Sequence, residues 1–577
     1  KSFSSFIEEN INQKTLFQIV NQLEGRFLLI LIESDEVTQI CADKFSKLDI
    51  YIQKNVCGVT LSSDLSLLPE NPSKDGYDQN ALAHMLTYYG YCPPKKHTIY
   101  QSVRRLGVGE VATLDNGKIT IKEQDFVAIK STEYSDSDHK KYTDIFLNHL
   151  EAKGSSSGNV VYLSSGWDST SILAGLVHIF GSEKVRAVTG RHCYSDRSGI
   201  CNQPEVDRAK KIAKYFGVKL YFVDFKFVDN QEIEYIEGLI PTMKNHQLYS
   251  LTAYTHGKLA EKTREIASKE EVVFAGEISD GAHNLGFSQY ATIFHPSFGF
   301  REYADKMASY LFGPTFLSLL KNNQYLDDPI YNLFLSTLQG DVFDEVEDYP
   351  HNCTMQLFTS FFLRNKRLPL WSHKNIKLLT SEGAERYTKE MQDVYLESAS
   401  ENASPENLYS WYLHLYNSFH WQAGTVRSLQ VIADKYVLTS DLPFWSANMQ
   451  DFLSAMPEEW GRGLDLNSTK YPLKNMLKNK IDYPFEMQKG PHSYTYDTDH
   501  SFNHMEEVFL HSKMKPVMQK ALLDKPYKEI LSPEMFDLIY IDDLVDKYLN
   551  DKNITIAALG DLVVIAMLCY VGWYKSK

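Results

Sequence analysis

The sequence predicts an α+β region followed by an α/β region that runs on into many C-terminal helices. Three observations carry this. Short β-prone runs separated by turn signals fill the first 130 residues. Between residues 159 and 276, apolar strand-like runs alternate with helix-like ones, the pattern of a parallel, doubly wound sheet. From about residue 290 to the end the chain reads as mostly helical.

In the first region, Gly25-Arg26-Phe27 leads into LLILI, and QICAD, IYIQ and VTLSSD follow as further short strands. ATLDNGKITI (112–121) carries Asp115-Asn116-Gly117, a hairpin signal between two β-prone runs. The polar STEYSDSD (131–138) reads as a linker, and KGSSSGN (153–159) closes the helix between them. The second region opens with VVYL (Val160–Leu163), the turn SSGWDST and the apolar helix SILAGLVHIF. VRAVTG (185–190), KLYFVDF (219–225) and EVVFAG (271–276) are its next strands. In the helix at 205–216, Val206, Ala209, Ile212, Ala213 and Phe216 share one face. The expected units are residues 1–130 and 139–577, with a helical insertion at about 290–426.

Composition bounds the function. The 577 residues include 59 Lys+Arg and 74 Asp+Glu, a net charge of −15 that disfavours coating nucleic acid or an anionic membrane. Neither is expected as a partner. The 13 % aromatic content excludes a disordered chain. Seven cysteines, at 41, 57, 92, 193, 201, 353 and 569, form no C-x-x-C. His192, Cys193 and Cys201 lack a second ligand pair at zinc spacing, so reduced thiols in a cytoplasmic protein are expected. No signal peptide is read at the start of the chain. The apolar run Ile554–Tyr574 is interrupted by Gly560-Asp561 and reads as a buried helix.

The sharpest chemical signal is Leu163-Ser164-Ser165-Gly166-Trp167-Asp168-Ser169-Thr170, which follows a strand and opens a helix. Backbone N–H groups and the helix dipole converge there on an anion, and the hydroxyls of Ser164, Ser169 and Thr170 add donors. Gly166 allows close backbone approach to phosphates. Asp168 is an anion inside an anion site, which makes sense if it holds a divalent cation. There is no Gly-Lys-[Ser/Thr], so this is not a Walker A loop. The bland alternative is a capped helix start.

This segment resembles the PP-loop, S-G-G-x-D-S, of ATP pyrophosphatases, with Ser165 in place of the first glycine. That exchange suits a backbone outside the glycine-favouring region. Further on, Phe274-Ala275-Gly276-Glu277-Ile278-Ser279-Asp280-Gly281 is similar to S-G-E-G-S-D-E of asparagine synthetases and related amide ligases. The resemblance implies ATP and Mg²⁺ as cofactors, with Asp168 and Asp280 on the metal. It places Gly276 near the nucleotide and Glu277 as a catalytic or orienting carboxyl, and Gly281 replaces a second acid. Pro204-Glu205 resembles the segment that sets an acid near the nucleotide. VLTSDLPFW (437–445) resembles E-x-R-x-P-F-L-D, with Thr439, Asp441 and Ser446 replacing Glu, Arg and Asp, so a salt-bridge scaffold is expected to be lost. KYPLKNML (470–477) and Gln488-Lys489-Gly490 resemble K-x-x-L-R and R-x-K, which implies that Lys489 stabilises charge on the leaving group.

In the first region, Leu23-Glu24-Gly25-Arg26-Phe27, Leu61-Ser62-Ser63-Asp64 and TIYQSVRRLGVG (98–109) resemble a class II glutaminase domain, which implies an Ntn-like fold. Its nucleophile is an N-terminal cysteine acting with its own α-amine. Residue 1 is Lys, and Cys41 and Cys57 are internal, so no glutaminase activity is expected. The implied function is an AMP-forming amide ligase of a specialised biosynthetic pathway. It would join a small-molecule or peptide carboxylate to an amine donor, possible as a homodimer. Ammonia-dependent asparagine synthesis, a lasso-peptide-type cyclase and an inactive binding homologue stand as alternatives. Beta-lactam synthetases carry Tyr at the position of Glu277. The aromatic-rich insertion (Phe287, Tyr290, Phe294, Phe298, Phe300, Tyr303, Tyr310, Phe312, Phe316) reads either as extra core or dimer surface, or as an enlarged acceptor site.

Overall fold

The computed structural model describes residues 3–573 except 12, 34–35, 56–57, 88–91, 116, 284–300, 338–351, 364–375, 421–423, 461–463, 465–466 and 490–502. Asn116, Cys57, Gly490, Tyr574 and the insertion aromatics from Phe287 to Phe300 lie outside the described residues, as does the side chain of Tyr303.

The N-terminal region builds two antiparallel sheets. One contains β1 (Leu28–Glu33), β2 (Glu36–Ala42), β6 (Glu110–Asp115) and β7 (Lys118–Glu123), in the order β1-β2-β6-β7. The other contains β3 (Tyr51–Asn55), β4 (Gly58–Ser62) and β5 (Val103–Arg105), in the order β4-β3-β5. Ile40, Ala42, Ile52, Ala112 and Ile119 form one apolar cluster with Val59 and Leu61, so the sheets share a core. The expected hairpin pairs Asp115 with Lys118, and Gly117 takes φ +72°. The region also holds helices that its β-prone composition hides. One is Leu16–Val20, started by a reciprocal Thr15/Gln18 capping box. Another is Gln79–Thr87, whose Leu82, Ala83, Met85 and Leu86 join the main core of the molecule.

The expected linker is tied down. Backbone bonds run from Ser131 N to Glu406 O (2.6 Å) and from Thr132 N to Ala455 O (2.9 Å). Ile129 N donates to Ser410 Oγ at 2.9 Å. A polar segment docks here because turn carbonyls at the ends of helices and one helical hydroxyl satisfy its backbone.

The second sheet system is parallel throughout. It contains β8 (Asn159–Tyr162), β9 (Val185–Cys193), β10 (Lys219–Lys226), β11 (Val272–Phe274) and β12 (Thr439–Asp441), in the order β10-β9-β8-β11-β12. β12 sits inside the 437–445 segment, which the sequence alone does not single out as a strand. The chain moves outward on one side of β8 through β9 and β10, then returns to its other side with β11. That reversal opens a crevice at the carboxyl ends of β8 and β11, where ligands bind in open parallel sheets.

The rest is mixed with many helices, as expected. Tyr310, Phe312 and Phe316 are buried, and Phe312 meets Phe361 edge-on. These three described insertion aromatics therefore build core rather than an acceptor wall. The helix Ile556–Trp573 is buried at Leu559 and from Leu562 to Val571, and the part-buried Asp561 accepts from Tyr540 OH at 2.8 Å. Among the described residues no helix is long and apolar enough to cross a membrane.

Candidate active site at the carboxyl edge of the parallel sheet

The loop after β8 runs directly into the helix Trp167–Phe180, with Gly166 as its N-cap. Ser164 N donates to Ser169 Oγ at 3.1 Å, and the two hydroxyls lie 3.1 Å apart. Ser165 takes φ +84°, so the backbone does lie in the region that glycine favours, contrary to the sequence expectation. Its side chain is buried, and among the described residues its Oγ has no hydrogen-bond partner. A left-handed residue with a Cβ costs about 1–2 kcal/mol. We expect Ser165→Gly to stabilise the protein by about 1 kcal/mol, measured as a rise in the urea midpoint. A fall would mean that the hydroxyl contributes to the fold.

The loop after β11 presses against the same helix start. A Cβ on Gly276 would lie 2.9 Å from both Asp168 Cβ and Ser169 N. Close approach to this backbone, as well as to any nucleotide, therefore demands glycine there. At Gly166 the nearest atom to such a Cβ is Ser164 Oγ, at 3.6 Å. Within the protein, Ala would fit at 166.

The centre of the site is an ion triad. Lys470 Nζ lies 2.6 Å from both carboxylate oxygens of Asp168 and 2.6 Å from Asp280 Oδ1. Ser279 Oγ donates to Asp168 Oδ1 at 2.6 Å. Behind it, His283 Nδ1 lies 2.8 Å from Ser279 O, and His283 Nε2 lies 3.0 Å from Tyr142 OH. Donation from Nδ1–H leaves Nε2 to accept from the tyrosine. The triad thus rests on a buried chain of hydrogen bonds.

Strain gathers here. Among the described residues nine non-glycine residues have positive φ, and three of them, Ser165, Ile278 (+75°) and Lys470 (+54°), sit in the three segments that meet at the triad. For a β-branched residue such as Ile278 this is a true outlier. Strained backbone persists where surrounding structure holds it, and it concentrates at functional sites.

A cavity of about 530 Å³ opens over the triad. Leu163, Ser164, Asp168, Ser169, Gly276, Glu277 and Asp280 line it, together with Glu205 and His256 from other elements. The Glu277 carboxyl is half-buried, and among the described residues it has no hydrogen-bond or ion-pair partner. Burial, with the charges of Asp280 and Asp168, pushes it up to about 7. Burial also raises Asp168, against the pull of the Lys470 ammonium, and the two carboxylates hold Lys470 firmly protonated. His256 Nδ1 lies 3.0 Å from Ser428 Oγ, and burial lowers its imidazole to about 4, so it is neutral.

Four expected positions do not line the cavity: Ser165, Gly166, Thr170 and Lys489. Thr170 faces away from the cavity: its Oγ1 donates to Gly166 O at 2.8 Å and lies 2.6 Å from Tyr483 OH. It braces the loop from behind because Gln488 Nε2 reaches both Thr170 Oγ1 and Ser165 O at 3.2 Å. Lys489 is exposed and does not line the cavity, and its carbonyl accepts from Arg208 at 3.3 Å. The cation at the carboxylates is Lys470 instead. Its signal was present, since Lys470 heads the KYPLKNML segment directly before a Tyr-Pro helix start.

The segment expected to lose a salt-bridge scaffold makes a different side-chain contact. Asp441, which replaces an Arg, lies 2.7 Å from His149 Nε2. Asp441 O also accepts from Ala275 N at 3.3 Å, so the pair braces the strand end that leads into the Glu277 loop.

No protein-family model matches the sequence, and no curated protein matches it. Among solved structures, a glutamine-dependent NAD⁺ synthetase from Acinetobacter baumannii, in complex with adenosine diphosphate, aligns with 12 % identity and a TM-score of 0.19. The alignment covers 48 % of this chain and 64 % of that one, just under two thirds of its length.

Proposed function

We propose that this protein is an ATP-dependent, AMP-forming amide ligase, with a PP-loop synthetase region behind an Ntn-like N-terminal region. One observation carries the reading: carboxylates from two separate loops converge on a single cation beside a helix N-terminus, with the unpartnered Glu277 facing the same cavity. In the reaction a substrate carboxylate oxygen attacks the α-phosphorus, and pyrophosphate leaves. An amine then attacks the acyl carbon, AMP departs, and the amine loses a proton. Ser164, Ser169 and the first N–H groups of the helix bind phosphate oxygens. Lys470 takes the charge-stabilising part that the resemblance gave to Lys489. Glu277, half ionised near neutrality, receives the amine proton.

Asp168 and Asp280 would hold Mg²⁺. The donor set fits, because Mg²⁺ binds through one or two carboxylates and completes its octahedron with phosphate oxygens and water. When bound, it neutralises polyphosphate charge. The described cysteines offer no glutaminase nucleophile: Cys41 lies inside β2, and burial pushes its thiol up to about 12. In this reading the amine is a substrate's own or free ammonia.

MgATP is expected to raise Tm by a few degrees, ATP with EDTA much less, and Asp168→Asn should remove the difference. Incubation with a panel of carboxylic acids and short peptides, ATP and hydroxylamine should yield a hydroxamate and pyrophosphate. A wild-type protein that shows no MgATP shift and no pyrophosphate release is an inactive homologue, and the proposal fails.

A further inference from the structure

We propose that Lys470 is an internal cation that closes the Asp168–Asp280 site to a free divalent ion and yields it only to one that arrives on a nucleoside triphosphate. The inference rests on the ligase reading above and adds a rule of metal entry to it. An ammonium has three N–H donors. Here three carboxylate oxygens lie 2.6 Å from Nζ, two on Asp168 and one on Asp280. Asp168 Oδ1 also accepts from Ser279 Oγ at 2.6 Å. The lone pairs that a divalent ion needs are thus already turned toward the lysine. A free ion would have to displace the ammonium or share its immediate surroundings as a like charge, where burial strengthens repulsion.

The lysine cannot leave for solvent. The residue is 6 % exposed, and its backbone is held at φ +54° at the head of the helix Tyr471–Lys480. Lys474 N donates to Lys470 O at 3.1 Å, which ties that head to the helix. The ammonium therefore gives up a carboxylate only when another anion takes its place. Phosphate oxygens bound at Ser164, Ser169 and the helix start would supply that anion within the same cavity. Arrival of the triphosphate frees carboxylate oxygens as it brings the ion that needs them. Free divalent ions then neither hold the empty site nor compete with the nucleotide complex.

The test is a titration of the full chain with Mn²⁺, followed by the loss of free-Mn²⁺ EPR signal, with and without α,β-methylene-ATP. Wild type should bind Mn²⁺ weakly alone and tightly with the analogue. Lys470→Met should bind Mn²⁺ alone about tenfold more tightly than wild type, or better. Adding Asp280→Asn to that variant should abolish the gain. Lys470→Gln keeps a donor and the approximate length without the charge, should show the same gain, and serves if Lys470→Met does not fold. Wild type that binds Mn²⁺ alone as tightly as either variant, or as tightly as with the analogue, overturns the proposal. Failure of Mn²⁺ with the analogue to bind wild type or variant overturns the ligase reading instead. The gain in Mn²⁺ affinity is read independently of it.

Discussion

Glu277→Gln is expected to remove an ionisation near pH 7 from both the stability and the turnover of this protein. The Glu277 carboxyl is raised to about 7 by burial first, and by Asp280 and Asp168 second. An unfolded glutamate titrates near 4.3. Because the folded value is the higher one, folding takes up a proton between the two. Stability from this group is therefore greatest below about pH 4.5, falls as pH rises toward 7, and levels off above it. At 1.36 kcal/mol per unit, ionised Glu277 costs the fold up to about 4 kcal/mol at pH 8.5. The glutamine variant should be more stable than wild type by up to that amount at pH 8.5 and little different at pH 4.5. Thermal melts of the ligand-free protein at the two pH values measure it. Amide formation should fall by about 10²–10⁴-fold, and the neutral limb of the pH–rate profile should disappear. A variant with equal stability at both pH values and unchanged turnover would mean that Glu277 is an ordinary solvated carboxylate.

The second large effect lies where the N-terminal sheets meet the region of the parallel sheet. Asp49 is surrounded by three cations: Arg427 Nε at 2.5 Å, Lys95 Nζ at 2.8 Å and Arg105 Nη1 at 3.6 Å. Arg427 also donates to Tyr51 OH at 2.8 Å, and among the described residues its Nη1 has no hydrogen-bond partner. Burial acts to raise Asp49, but the three cations together outweigh it and hold the carboxyl well below the usual range. The stability it contributes is fully present above pH 4 and is lost only as pH falls through that depressed value. Asp49→Asn would leave three buried cations with no carboxylate and should cost about 3–5 kcal/mol. Arg427→Met should cost distinctly less, since Lys95 and Arg105 still neutralise Asp49. Urea midpoints of the two variants give the order, and the reverse order would refute this charge count. The consequence reaches the candidate active site. Thr425 and Leu429 on the helix that carries Arg427 line the cavity, and Ser428 meets His256. Asp49→Asn should therefore also weaken nucleotide binding.

Much of the site was legible because its chemistry is local. A strand, a turn and a helix start lie within a few residues at 160–170 and again at 271–282, and the apolar spacing marks both. Ser164, Asp168, Ser169, Gly276, Glu277 and Asp280 follow from those two segments, and all six line one cavity. The docked segment at 129–134 was less legible. Its polar composition is the same whether water or the carbonyls of neighbouring turns satisfy its backbone. β12 was also hidden, because three residues, Thr439–Asp441, are too few to show a period.

By itself the sequence determined the parallel α/β layering and the two loops that meet at its switch point. Both depend on short-range pattern, and a one-dimensional string preserves such pattern. The tertiary structure alone decided which cation serves the two carboxylates, Lys470 rather than Lys489, and which side chain meets Asp441, His149. It also placed the Thr170 hydroxyl behind the loop and put Ser165 in a left-handed backbone. Charge pairing acts through space and falls off within a few ångströms. Partners far apart in the chain are therefore fixed by how the segments pack, and no spacing along the sequence carries that distance.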